Sequence, residues 1–151
     1  MAIVLDRSFT VKAGLDEAWR FMTDPERVFP CIPSGRVVRR LDDRSFEGEL
    51  GFTLGPFGAK FRGEIEYDEL AREDRRIHLS GDAEDTRRDA RARLEMESRL
   101  SEVPDGGTRV DVHQSVALSG SLSHLDESAL ARNAAEMLFG RFVSCVEGEL
   151  G

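Results

Sequence analysis

Apolar and polar side chains alternate with a period of two residues over most of the first 118 positions. Such alternation is typical of strands that bury one face and expose the other. The first strand is predicted at residues 3–12, where Ile3, Leu5, Phe9 and Val11 share one face. Six more strands are predicted at about residues 36–41, 45–54, 59–67, 75–83, 90–100 and 108–118. Because short turns join these six, neighbouring strands must be antiparallel.

Two regions depart from the alternation and predict helices. Residues 15–22 form a short helix after the first strand, with Leu15 and Trp19 on its apolar face. Asp24 then caps a second short helix that has Pro25 in its first position. After residue 118 the apolar positions recur at helical spacing, which predicts a long amphipathic helix over about residues 122–150.

This order of elements predicts an α+β domain over residues 1–151. We expect a seven-stranded antiparallel curved sheet wrapped around the long C-terminal helix, with two short helices after the first strand. The sheet has one apolar face, and the terminal helix is the element long enough to cover it. Several inward positions are too small to fill the space beneath it: Gly48, Gly63, Gly81, Ala83, Ala90, Ala92 and Ser98. We therefore expect an apolar cavity, unless large side chains across the sheet fill these gaps.

Composition excludes several classes of partner. The chain has 151 residues and a net charge of −8, and this sign repels both nucleic acid and anionic lipid. No apolar stretch approaches the ~20 residues of a membrane helix. The N-terminus lacks the features of a signal peptide, so we expect a cytoplasmic protein without direct membrane insertion.

The two cysteines, Cys31 and Cys145, lie far apart and have no metal-binding spacing. In a cytoplasmic protein both are predicted to be free thiols. A catalytic cysteine needs a nearby histidine, and no local arrangement of that kind is found.

Short motifs spread along the chain resemble those of one protein family. They are Phe9-Thr10-Val11 with Ala18-Trp19 and Asp24-Pro25-Glu26, then Cys31-Ile32-Pro33-Ser34-Gly35, Gly55-Pro56-Phe57 with Phe61-Arg62-Gly63, Gly107-Thr108-Arg109-Val110 and Gly120-Ser121-Leu122. In order and context they resemble the carbon monoxide dehydrogenase G-subunit family. That family belongs to the helix-grip superfamily (START-like, SRPBCC), which also contains lipid-transfer domains and polyketide cyclases.

The resemblance implies an accessory protein of a molybdenum-containing carbon monoxide dehydrogenase or a related hydroxylase. It also implies a quinone-type ligand in the cavity, with no covalently bound cofactor, and a place at the inner membrane through a partner. Two departures stand out. Family members often carry a C-terminal tail linked to membrane attachment, whereas this sequence ends at Gly151, so we expect little intrinsic membrane affinity. Ser34 is inserted before Gly35 in the family's loop.

Few polar side chains are predicted to face the cavity. Strand parity points Arg7, Tyr67, Ser98 and Gln114 inward, and they form neither a Ser-His-Asp triad nor a carboxylate pair. The three histidines, His78, His113 and His124, fall on outward positions or near the start of the long helix, so no metal site is predicted. Gln114 lies in an apolar strand face and must bond a ligand, water or neighbouring backbone if it is buried.

Strand parity and the resemblance together predict the ligand site. The ligand-binding residues are predicted to be Phe52, Phe61, Ile65, Met96, Gln114, Val116 and Met137. The cavity mouth is assigned by analogy with the superfamily to Val28, Phe29, Cys31 and Ile32.

Three functions fit this description. The first is a non-catalytic carrier of a small hydrophobic molecule, and the second is an enzyme of the cyclase or dehydratase type on the same fold. The third is an interaction subunit with a filled core. We favour the carrier, because an enzyme needs convergent titratable groups near its substrate and the sequence places none there.

Overall fold

Seven strands form one antiparallel sheet in the computed structural model, in the order β1-β7-β6-β5-β4-β3-β2. The strands are β1 Ile3–Val11, β2 Arg36–Arg40, β3 Ser45–Leu54, β4 Phe57–Ala71, β5 Arg76–Asp85, β6 Ala90–Glu102 and β7 Thr108–Gly120. The structure describes residues 3–32, 35–54, 57–85, 87, 89–125 and 128–151, and all of their side chains except those of residues 52–54, 57 and 125. The predicted curved sheet is confirmed, with each strand within a few residues of its expected bounds.

The sheet is open, with β1 and β2 at its two edges. Its ladders are regular except for two irregularities, one in β2 between Val37 and Arg39 and one in β4 between Tyr67 and Glu69. A register slip of one residue would move every side chain to the other face of a strand. The nearly regular register therefore keeps the alternating apolar residues on a single face.

The short helices follow β1 as predicted. Helix α1 spans Leu15–Met22 and helix α2 spans Pro25–Val28, where the Asp24 carboxylate accepts a hydrogen bond from the Glu26 backbone N–H at 3.0 Å. The chain then continues as a 3-10 helix over Phe29–Cys31, which contains Pro30. Pro30 fits there because the first residues of a helical turn do not need their N–H groups.

The long helix α3 spans Ala129–Leu150 and begins later than the predicted position near residue 122. The Ser128 hydroxyl accepts a hydrogen bond from the Ala131 backbone N–H at 3.1 Å, which is the geometry of an N-cap. A separate 3-10 helix covers Ser123–Leu125. The far end of α3 is bound to the end of β1, since the backbone N–H groups of Lys12 and Ala13 donate to the Gly151 and Leu150 carbonyls at 2.9 and 2.8 Å.

The buried apolar residues form two separate clusters on the concave side of the sheet. The larger one joins α1, the 3-10 helix and the C-terminal half of α3, where Phe142, Val146 and Leu150 are buried. The smaller one lies under the N-terminal half of α3, which supplies Ala131 and Ala134. The small alanines bring little volume to their part of the interior, so space is left between sheet and helix.

No helix in the described part of the chain is long and apolar enough to cross a membrane.

Candidate functional site

An apolar cavity of about 220 Å³ lies between the sheet and α3. Its walls come from three parts of the fold, and α3 contributes Ala131, Ala134, Ala135, Leu138, Phe139 and Phe142. The segment around α2 contributes Pro25, Val28, Phe29 and Ile32. The sheet contributes Ile3, Phe46, Leu50, Phe61, Ile65, Tyr67, Leu79, Gly81, Asp82, Ala83, Ala92, Leu94, Met96, Gln114, Val116 and Leu118. A cavity with such a lining excludes water and favours apolar ligands.

Three of the seven small inward residues create this space. Gly81, Ala83 and Ala92 line the cavity on adjacent strands. The other small residues are covered by neighbours. Beside Gly48 lies the Phe29 ring, whose nearest carbon would be 2.9 Å from an added Cβ atom.

Gly63 is closed over by the β5 backbone, because a Cβ atom there would collide with the Asp82 carbonyl oxygen and with Ala83. Ala90 and Ser98 are buried and do not line the cavity. Both predicted outcomes therefore occur in one sheet, with gaps filled in one region and left open in another.

Five of the predicted ligand-binding residues lie together on the cavity wall: Phe61, Ile65, Met96, Gln114 and Val116. Phe52 pairs with Ala59 in the β3–β4 ladder, but its side chain lies outside the described residues. That the five lining residues and Phe52 contact a ligand stays a prediction.

The assignment of Met137 to the cavity is wrong. Its side chain is 48% exposed on α3, while the next residue, Leu138, lines the cavity. Successive residues of a helix point about 100° apart, so Met137 and Leu138 face different directions. On α3 the residues that line the cavity form two adjacent rows with intervals of four residues, one of Ala134, Leu138 and Phe142 and one of Ala131, Ala135 and Phe139. That interval was visible in the sequence and is the signal that could have selected Leu138.

The predicted mouth residues lie where α2 and the 3-10 helix face the sheet. Val28, Phe29 and Ile32 line the cavity, and the Phe29 ring packs edge-to-face on Phe46 with centroids 5.5 Å apart. Cys31 is buried, but it does not line the cavity.

Cys31 instead forms a disulfide with Cys145 of α3, with the two Cα atoms 5.3 Å apart. The prediction of two free thiols is therefore wrong. The two residues are separated by 114 positions, and only the packing of the 3-10 helix against α3 brings them together. The separation of two cysteines along the sequence does not show whether they meet in the folded protein.

Gln114 supplies an amide to an otherwise mostly apolar wall. It is partly buried and lies between Leu5 and Met96 in the sheet, and its side-chain amide makes no hydrogen bond to another described residue. Its carbonyl and amino groups are therefore free to bond a ligand or water.

Tyr67 also lines the cavity, but its hydroxyl donates a hydrogen bond to the Met22 carbonyl at 3.3 Å. Burial raises the pKa of this hydroxyl well above its usual value, so it stays protonated at neutral pH. Its role is structural, in agreement with the common behaviour of buried tyrosines.

Of the other polar residues predicted to face inward, Arg7 is in an ion pair and Ser98 is buried. Arg7 reaches across the sheet edge and forms an ion pair with Glu136 of α3. Ser98 is 1% exposed, and its hydroxyl has no hydrogen-bond partner among the described residues.

The charged chemistry lies on the outer face of the sheet. His78 Nδ1 lies 2.8 Å from an Asp68 carboxylate oxygen, and His113 Nδ1 lies 2.6 Å from one of Asp6. Both histidines occupy the outward positions that strand parity predicts. Among the described residues, no group of three histidine, cysteine or acidic side chains could hold a metal ion.

A curved antiparallel sheet closed on one side by a long helix, with short helices after the first strand, defines a helix-grip domain. Solved structures share it. A conserved protein from Geobacillus kaustophilus matches with a TM-score of 0.83 at 17% identity, covering 96% of this chain and 93% of that one. An aromatase/cyclase, ZhuI, from a Streptomyces species matches with a TM-score of 0.70 at 12% identity, covering 99% and 94%. A START superfamily protein from Mycobacterium smegmatis matches with a TM-score of 0.64 at 12% identity, covering 97% and 96%.

At these identities the solved structures establish the fold alone. The family is established by sequence, because residues 8–151 match the family of the G subunit of carbon monoxide dehydrogenase (CoxG). The chain belongs to this family, as its motifs had indicated. Among curated proteins, none matches the chain by sequence.

Proposed function

We propose that this protein binds a small hydrophobic molecule, quinone-like or another apolar aromatic, in the cavity between the sheet and α3. The observation that supports this most directly is an apolar cavity of about 220 Å³ whose wall holds the Gln114 amide, which bonds no other described side chain or backbone group. A ligand with a ring system and one carbonyl group matches both features. The apolar wall covers the ring, and the amide bonds the oxygen.

A micromolar affinity sets a lower bound on the apolar area that the ligand must bury. A dissociation constant of 1 μM corresponds to about 8 kcal/mol. At roughly 25 cal/mol per Å², this requires about 330 Å² of buried apolar area before the costs of association are met. A ring system with a short apolar substituent has an area of this order.

A carrier fits the lining better than an enzyme does. The titratable side chains among the described lining residues are Tyr67 and Asp82. The Tyr67 hydroxyl is already bonded, and Asp82 occupies an exposed, outward position on β5. A general acid or base must exchange a proton with the reacting atom, whereas the Tyr67 proton is bonded to the Met22 carbonyl and Asp82 is exposed to solvent.

Membership of the CoxG family supports a partner for this carrier. In the proposed role, it serves a molybdenum-containing hydroxylase of the carbon monoxide dehydrogenase type in the cytoplasm. It exchanges a quinone-type molecule with that partner and is brought to the membrane surface by it.

The binding test uses a naphthoquinone and a naphthalene hydrocarbon of equal size, titrated against the purified protein. Both should bind saturably, because both fill the apolar cavity. Gln114→Leu should weaken the quinone roughly 2- to 13-fold, the range for one hydrogen bond of about 0.5–1.5 kcal/mol, and leave the hydrocarbon unchanged.

Ser115→Ala is the matched control, since Ser115 is the next residue on β7 and points to the other face. It should change neither affinity. An absence of saturable binding for both compounds would disprove the carrier function. An equal effect of Gln114→Leu on both compounds would contradict a hydrogen bond between Gln114 and the quinone.

A further inference from the structure

The disulfide joins two walls of the cavity to each other. On one side, Phe29 and Ile32 flank Cys31 and line the cavity. On the other side, Phe142 lines the cavity and Cys145 follows it by three residues, close to one turn of α3. The Cys31–Cys145 bond therefore holds the 3-10 helix against α3 at the boundary of the ligand site.

The polar contacts of this wall are local. The Val28 N–H donates to the Asp24 carbonyl at 3.0 Å, and the Ile32 N–H donates to the Phe29 carbonyl at 3.0 Å. No hydrogen bond or ion pair of residues 25–32 reaches α3 in the described part of the structure. Apart from the disulfide, apolar contacts hold the wall in place, among them the Phe29 ring on Phe46.

We propose that the Cys31–Cys145 disulfide is a redox-controlled clasp on the cavity, an inference that rests on the proposed ligand site. In the oxidised state the bond holds the wall of residues 25–32 closed against α3. In the reduced state the wall keeps only its apolar contacts, opens more often by local unfolding, and lets the ligand exchange faster.

The reductant is a dithiol. Its thiolate attacks the sulfur of Cys145, which is less buried than Cys31, and the disulfide bond breaks as Cys31 leaves and takes up a proton. The second thiol of the reductant then displaces Cys145 from the mixed disulfide. The protein gains two electrons and two protons, and the dithiol becomes a cyclic disulfide.

Hydrogen–deuterium exchange of residues 25–32 tests the clasp without a ligand. Intact mass and thiol labelling after unfolding first establish that the oxidised protein carries no free thiol. Treatment with dithiothreitol should then speed exchange in this segment on the order of tenfold. This is a small part of the effect expected from the disulfide on global unfolding, because only a short segment opens locally. The Cys31→Ser/Cys145→Ser variant should exchange like the reduced protein and should not respond to dithiothreitol.

Two results would overturn the clasp. One is a protein that keeps both thiols free under an oxidant. The other is an equal exchange rate of residues 25–32 in the oxidised and reduced states. The exchange rates of oxidised and reduced wild-type protein can be compared directly, so the test does not depend on whether the double variant folds.

Ligand release separates the clasp from the carrier function. With a bound naphthoquinone, stopped-flow displacement should be faster after reduction, again on the order of tenfold. Equal release rates in both redox states would overturn the clasp, although the carrier function would stand. If no quinone binds in either state while the protection of residues 25–32 still depends on the disulfide, the carrier function fails and the redox-dependent wall remains.

Discussion

Filling the cavity from Ala92 should stabilise the protein and weaken its ligand. Ala92 lies in β6 between Ala83 of β5 and Leu118 of β7, and all three residues line the cavity. In Ala92→Leu, the added side chain projects from the inner face of the sheet into the space assigned to the ligand. Because the added side chain fills cavity space in the free protein, stability should rise while ligand affinity falls.

The expected gain in stability can be worked out from the added atoms. Leucine brings three more carbon atoms than alanine, each worth about 0.8 kcal/mol when buried, or about 2.4 kcal/mol together. Ordering the longer side chain costs about 0.5–1 kcal/mol. The net gain of about 1.4–1.9 kcal/mol should raise Tm by roughly 3–8 °C for a domain of this length.

Thermal unfolding and naphthoquinone titration measure the two effects in the same preparations. Arg93→Leu is the matched control, because Arg93 is the next residue on β6 and is exposed on the opposite face. The free energy of unfolding of Arg93→Leu should stay within about 0.5 kcal/mol of wild type, and its affinity for naphthoquinone should not change. A lower Tm for Ala92→Leu would refute the reasoning, since overpacking a filled core costs about 1–3 kcal/mol. The interaction subunit with a filled core would then be the better interpretation.

Two further predictions concern α3 and the pair of strands β4 and β5. Leu138→Trp should weaken naphthoquinone binding roughly tenfold, or about 1.4 kcal/mol, while Met137→Trp on the exposed face should leave it unchanged; equal losses in titration would contradict the cavity geometry. The Lys60 and Arg87 N–H groups donate to Asp85 at 2.9 and 3.0 Å and lower the pKa of its carboxyl. The stabilisation is therefore complete above the unfolded pKa of about 3.9 and is lost as the pH falls through the lower folded value. Asp85→Asn should lower the urea midpoint at pH 7 more than at about pH 2.5, and an equal loss at both pH values would contradict this role.

The strands and their inward faces were predictable from the sequence because each depends on a local, repeating pattern. A residue at position i faces the same side as its neighbours at i−2 and i+2, whatever the rest of the chain does. Parity alone placed Phe61, Ile65, Met96, Gln114 and Val116 on one side of the sheet, and the structure brings all five to the cavity wall. The cap at Asp24 was likewise local, since a capping side chain bonds a backbone group two residues away.

Helical phase was harder to predict than strand parity. A strand residue faces one of two sides, whereas a helix residue can point in any direction, and apolar residues flank the true inward row. Met137 and Leu138 are both apolar, and although the four-residue interval of Ala134, Leu138 and Phe142 favours Leu138, the way α3 lies on the sheet decides it. The start of α3 at Ala129 was similarly set by the cap at Ser128, within a longer apolar pattern.

The cavity itself and the disulfide were decided by tertiary structure. Gly48 and Gly81 look alike in sequence, but the Phe29 ring covers the first and the cavity opens beside the second. Which gap is filled depends on a side chain that arrives from a different part of the chain. Cys31 and Cys145 meet for the same reason, because the 3-10 helix packs on α3 across 114 positions of sequence. Local periodicity decides which face of each element is apolar, while the packing of distant elements decides which atoms meet and where space remains.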